Sequence, residues 1–134
     1  MIALDASALL AFLFAEAGHE RVAGVIDDCC LSAVNLSEVL ARFVRDGHDA
    51  AAVLEQLAGS GIELVPFLAE DAALAAMLEP ATRAAGLSLG DRACLARALS
   101  RGVPAMTADR AWARIGTEVE IEVQLIRGRA ERAR

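Results

Sequence analysis

The sequence predicts a parallel α/β fold in one domain, and three observations carry that reading. Short apolar runs alternate with longer segments of helical periodicity, the pattern of strands joined by crossover helices. Gly47, Gly59, Gly86 and Gly102 sit just past four of the helical segments, where a left-handed cap favours glycine. The chain has 134 residues, 56% of them hydrophobic, which is enough to bury a single sizeable core.

In chain order, the run "MIALD" gives a strand over Ile2 to Leu4 that stops on an acid, Asp5. Helical segments follow at Ala6 to Ala15 and His19 to Asp28, then a strand at Cys30 to Val34. Leu36 to Asp46 and Ala50 to Gly59 read as helices, Ile62 to Phe67 as a strand, and Asp71 to Ala85 and Leu89 to Arg101 as helices again. A strand at Val103 to Thr107, a short helix after Asp109 and a last strand at Ile121 to Ile126 complete the pattern. The closing stretch "RGRAERAR", residues 127–134, lacks large apolar side chains and reads as a frayed, Arg-rich tail whose cations can touch a polyanion.

Composition removes several function classes. The chain holds 19 acidic and 13 basic residues, a net charge of -6, so bulk attraction to nucleic acid is excluded and any such contact must be local. All the basic residues are Arg, which excludes a phosphate loop built on Lys and a Schiff-base mechanism. The three cysteines, Cys29, Cys30 and Cys94, lack metal-ligand spacing and suit buried thiols in a reducing compartment. Asp5 interrupts an N-terminus that has no basic leader, so neither a signal peptide nor a membrane span is expected and the location is expected to be cytoplasmic.

Four acids hold the chemical interest. Asp5 ends the first strand, Glu38 in "SAVNLSEV" lies one turn into a helix after a strand, Asp91 in "LSLGDRAC" lies one turn into another helix, and Asp109 in "AMTADRAW" lies just beyond a strand. In parallel α/β folds the carboxyl ends of strands and the helix starts that follow share one edge, which brings Asp5, Glu38 and Asp109 toward one crevice. Connectivity alone leaves Asp91 less secure. Each acid also has a structural reading: Asn35 with Glu38 and Ser88 with Asp91 fit capping boxes, and Asp5 and Asp109 fit N-caps. Capping does not require convergence, whereas metal chemistry does.

Convergence would have an electrostatic consequence. Two carboxylates 4 Å apart repel by roughly 4 kcal/mol at the effective dielectric of a protein surface, so protons or cations must enter such a cluster. Oxygen ligands without His or Cys select Mg²⁺ or Mn²⁺ over zinc. The implied reaction is phosphodiester hydrolysis by a metal-activated water, with no need of a Ser, Cys or His nucleophile. His19 and His48 lie away from the acids in sequence context and read as surface residues.

The blocks "IALDASALLAFL", "LSAVNLSEVLARF" and "GLSLGDRACLARALSRGVPAMTADRAW" closely resemble the PIN domain, and within it the VapC toxins of VapBC toxin–antitoxin modules. The resemblance implies a PIN domain over residues 1–126, a Rossmann-like three-layer α/β/α sandwich whose five parallel strands run 3-2-1-4-5. It implies a Mg²⁺- or Mn²⁺-dependent endoribonuclease whose acidic quartet falls on Asp5, Glu38, Asp91 and Asp109. Asp5 and Asp91 are then the primary metal ligands, Asp109 a direct or water-mediated one, and Glu38 the holder of a metal water or the general base. Ser7, Asn35 and Thr107 are supporting candidates that could equally be hydrogen-bonding turns and helix ends.

Arg92 and Arg110, next to two of the acids, are candidates for the RNA backbone, with Arg97, Arg101 and Arg114 completing a local basic rim. Trp112 suits either base stacking or the core. The resemblance further implies a homodimer held by a VapB-type antitoxin across an apolar groove, for which "ASALLAFLFAEAG" and "LSEVLARFV" are candidates. A receiver domain is excluded by the missing Lys, a haloacid-dehalogenase-like phosphatase by Ser7 where its second acid belongs, and a dinucleotide fold by the missing glycine-rich turn. A non-catalytic PIN-like binding protein and a PIN-type DNA nuclease remain as alternatives.

Overall fold

The computed structural model describes residues 1–128. Five strands form one sheet: β1 (Ile2–Leu4), β2 (Cys29–Ser32), β3 (Glu63–Val65), β4 (Ala105–Thr107) and β5 (Val123–Leu125). All pairings are parallel and the order is β3-β2-β1-β4-β5, so the fold is the expected one. The order places β1 in the centre, and the chain leaves it in opposite directions for β2 and β4. A crevice at the carboxyl ends of β1 and β4 is the result.

Side chains alternate across the sheet and both faces are apolar, which is what two helix layers require. Ile2, Leu4, Cys29, Leu31 and Met106 face the layer of α1 (Ala6–Leu13), α2 (His19–Ala23), α3 (Ala33–Arg45) and α4 (Ala50–Ala58). Ala3, Cys30, Val65 and Ala105 face the second layer, in which α5 (Ala69–Met77), α7 (Leu89–Arg101) and α8 (Trp112–Val119) pack, with α6 (Glu79–Thr82) lying against α8. Trp112 is wholly buried in that second core, so the stacking reading is replaced by packing: a large ring at the first position of α8 faces the sheet rather than solvent.

Several boundaries differ from those read off the sequence, each for a local reason. The helix expected over His19 to Asp28 ends at Ala23, and a 3-10 turn, Ile26–Asp28, follows Gly24. The helix expected over Asp71 to Ala85 breaks between Met77 and Glu79, where Pro80 withholds an N–H and opens a new short helix. The strand expected over Cys30 to Val34 stops at Ser32, whose Oγ accepts from Val34 N at 3.2 Å and so starts α3 early. Gly102 takes the left-handed cap with φ 64°, whereas Gly59 ends α4 in right-handed backbone at φ -87°.

The three thiols are unpaired and buried. Among the described residues no helix is long and apolar enough to cross a membrane. The frayed tail expected from 127 falls, from residue 129 on, outside the described residues. Arg127 donates to Ala17 O at 3.1 Å.

Candidate active site

Asp5 is placed by the centre of the sheet. It follows β1 directly, is 3% exposed, and stands at the N-cap of α1 as expected, but its side chain makes no cap bond to that helix. Its Oδ2 accepts instead from Ser7 Oγ at 2.6 Å and from Thr107 Oγ1 at 2.9 Å. Each hydroxyl has one proton and both protons go to Asp5, so the 3.2 Å approach of the two hydroxyls adds no further bond. The hydroxyl oxygens are left to accept from Ala108 N at 3.0 Å and Asp109 N at 3.1 Å. Ser7 and Thr107 thus clamp the end of β1 to the loop after β4, and Oδ1 of Asp5 has no donor among the described residues.

The other acids hang on helix starts. Glu38 lies in the second turn of α3, because Ser32 and not Asn35 is the cap; the capping box expected for Asn35 and Glu38 does not form. Asn35, fully buried, donates from Nδ2 both to Glu38 Oε1 at 3.0 Å and to Gly90 O at 2.9 Å, which ties α3 to the start of α7. Gly90 makes that approach possible: a Cβ there would run into the Glu38 carboxylate. Asp91 does form its capping box, accepting from Ser88 N at 2.9 Å while its own N donates to Ser88 Oγ at 3.2 Å. Asp109 accepts from Ala111 N at 2.9 Å in a local turn ahead of α8.

The carboxylates feel one another. Burial pushes Asp5 up to about 7, the hydroxyl bonds oppose that, and the charges of Asp91 and Glu38 add to it. Glu38 is exposed along its length, yet its end loses enough water against Gly90 to raise its pKa; Asn35 pulls it down and Asp91 pushes it up. Asp91 is raised first by desolvation, against its bonds to Ser88, and then by Asp109. Asp5, Glu38, Asp91 and Asp109 are therefore brought to one neighbourhood, Asp91 included. Among the described residues, no three His, Cys, Asp or Glu side chains are gathered closely enough to hold a metal ion as they stand.

Residues 2–118 match the family model of the PIN domain. The chain belongs to the PIN domain family. PIN domains are generally nucleases and typically use divalent metals. No curated protein sequence matches the chain. Similar solved structures include FitAcB from Neisseria gonorrhoeae, 20% identical with a TM-score of 0.68, where 94% of this chain and 98% of the other are covered. DNA-bound VapBC from Salmonella typhimurium is 18% identical with a TM-score of 0.68 over 94% of this chain and 98% of the other. At these identities the likeness speaks for the fold.

A divalent cation fits this PIN domain by donor chemistry: the donors are hard carboxylate oxygens, and their pKa values, raised first by desolvation and then by one another's charge, reflect a cost that such a cation would offset. Sequence reasoning had no role for Gly90; its place between two helix-start acids in space was hidden, although "LGD" was in view. The arginines sort into two groups. Arg92 donates to Ala75 O at 3.2 Å, Arg97 pairs with Asp71 at 2.9 Å, and Arg101 pairs with Glu63 at 2.8 Å, so these three lie against other elements. Arg110 and Arg114 are exposed. His48 lies edge-on to Phe43, and His19 stands 3.8 Å from Glu20.

Proposed function

We propose that the chain is a Mg²⁺- or Mn²⁺-dependent endoribonuclease, the toxin of a VapBC-type toxin–antitoxin pair. The observation that carries this is the convergence of four carboxylates at the carboxyl edge of the sheet, each raised or raising another, in a chain of the PIN family. Asp5 and Asp91 would hold the cation, Asp109 would reach it directly or through water, and Glu38 would hold a water or act as the base. The chemistry supplied by a cation bound there is a lowered pKa for an attacking water and stabilisation of the leaving oxygen.

The residues themselves do the rest. Ser7 and Thr107 fix Asp5 through one oxygen and leave the other for the crevice. Asn35 holds Glu38 in place while leaving Oε2 free of that bond, and a pKa raised by desolvation makes the carboxylate a stronger base. Antitoxin binding accompanies this reading, in keeping with the likeness to structures described as FitAcB and VapBC, and homodimer formation is proposed with it from the toxin reading alone. The lack of a closed cage among the described residues favours a second reading, a non-catalytic partner-binding PIN protein.

Antitoxin-free protein incubated with total RNA and Mg²⁺ or Mn²⁺ separates the two. Cleavage that is abolished by EDTA and by Asp91→Asn is expected, with single-stranded DNA left intact. Intact RNA and intact DNA under all conditions would give the binding reading; cut DNA with intact RNA would make it a DNA nuclease.

A further inference from the structure

The two sides of the acid site differ in how their cations are occupied. On the α7 side the positive charge is locally cancelled: Arg97 meets Asp71 at 2.9 Å with both side chains 14% exposed, and Arg101 donates twice to Glu63 at 2.8 Å. Arg92 also has a neutral partner, Ala75 O at 3.2 Å, but it is half-buried against α5 rather than exposed. On the β5 side a cavity of about 610 Å³ opens beside Gln124, Leu125 and Ile126, flanked by Arg21 and Arg127. Arg21, exposed, donates from Nη1 to Leu125 O at 2.5 Å, a neutral partner that positions the guanidinium without cancelling its charge.

Arg127 is held in the same manner on Ala17 O at 3.1 Å; its nearest acid, Glu16, stands 3.9 Å away, at the outer limit of an ion pair. Glu20 lies on the same short helix as Arg21, next to His19. Arg110 is exposed, has no ion pair among the described residues, and lies so close to Gly128 that a Cβ there would strike its stem. Three guanidinium groups therefore ring the end of β5.

That end adjoins the reacting edge. Leu125 is in register with Thr107 on the neighbouring strand, Ile126 N donates to Thr107 O at 3.0 Å, and Thr107 Oγ1 touches Asp5. The arginine-flanked cavity thus begins one strand spacing, about 4.8 Å, from the residue that holds Asp5. Beyond Gly128 the sequence continues RAERAR, with three more Arg against one Glu; these residues lie outside the described ones.

Resting on the endoribonuclease reading, we propose that single-stranded RNA leaves the acid site across the β5 edge, with Arg21, Arg110 and Arg127 holding its phosphates. A polyanion approaching four carboxylates needs its attraction to come from beside them, and at the β5 end Arg21 and Arg110 have no ion pair among the described residues while Arg127 has only the one at 3.9 Å. Two of the three guanidinium groups are already fixed by backbone carbonyls, so little side-chain entropy is lost on binding.

The test measures binding of a labelled mixed-sequence 20-mer RNA by fluorescence anisotropy against salt, with Mg²⁺ and in an Asp91→Asn background that stops cleavage. Arg21→Gln with Arg127→Gln is expected to lower the magnitude of the log–log salt slope by about 1.4, a loss of affinity between 50 and 200 mM salt that is roughly sevenfold smaller than in the parent. Arg21→Lys with Arg127→Lys, which keeps charge but not the fork, is expected to keep the slope; a purely structural role would make it fail like the Gln pair. Arg97→Gln with Arg101→Gln is expected to leave the slope unchanged. An unaltered slope in the Gln pair, or an equal loss in the Lys pair, overturns the β5 path while leaving the nuclease reading in place. A parent that cleaves no RNA and binds none overturns both.

Discussion

The inner and outer halves of the acid site are built by different means. Asp5 is positioned by the tertiary fold: its partner Thr107 is 102 residues away, and its carboxyl is almost without water. Asp91, Glu38 and Asp109 each lean on a partner two or three residues away, at the start of a helix or the turn ahead of one. A carboxylate held by long-range packing carries a large desolvation burden and a displaced pKa. Carboxylates held by local turns stay wetter and adjustable. The site thus combines one carboxylate set by the tertiary fold with three set by short-range bonds.

The sharpest way to break this contrast is Asp5→Asn. Cleavage is expected to fall on the order of a thousandfold, equivalent to about 4 kcal/mol, because the fixed donor is lost. Stability should move the other way in EDTA. Asp5 has a folded pKa of about 7 against an ordinary value of 3.8, so the folded state binds its proton more tightly than the unfolded state does. Stability is then highest below pH 3.8 and declines as pH rises toward 7, by up to roughly 4 kcal/mol from this group. Urea unfolding of metal-free protein at pH 4.5 and 8 should show that decline in the parent and a much flatter profile in Asp5→Asn. An equally steep profile in the variant would contradict the buried, displaced carboxyl.

Thr107→Val sharpens the comparison. It keeps the shape but removes a donor to Asp5 and the acceptor of Asp109 N, so a loss of about 2 kcal/mol is expected in denaturant melts. The acidic limb of the pH–rate profile should also move upward, since the hydroxyl bond holds the Asp5 pKa down. Gly90→Ala probes the adjustable half and should have the smallest effect on the fold. Alanine is the better helix former by up to about 1 kcal/mol, which offsets part of the crowding, while Glu38 must swing away from its Asn35 bond. About a tenfold fall in cleavage with a melting point within a few degrees of the parent is expected.

The same division explains what could be read from the sequence. Features with a local signal were legible, such as the five strands and the Ser88–Asp91 box, whereas the break at Pro80 was missed because the helical periodicity around it continues on both sides. The apolar run through Val34 hid the strand end at Ser32, because both strand and buried helix start are apolar and period alone does not separate them. Asp5, Ser7 and Thr107 could be named as candidates from the motif blocks, but their joint bond network joins residues a hundred positions apart. The same holds for Arg21 on Leu125 and Arg127 on Ala17, pairings made by the sheet order and by no local pattern.

Cys94 lies in α7, its Sγ 3.7 Å from Ala3 O, with its thiol pKa raised far above the ordinary value by burial and next by Asp5. A reagent that attacks thiolates can meet it only when α7 lifts from β1, the motion that would also part Asp91 from Asp5. The rate at which that sulfur is modified is therefore a native clock for how often the floor of the acid site comes apart.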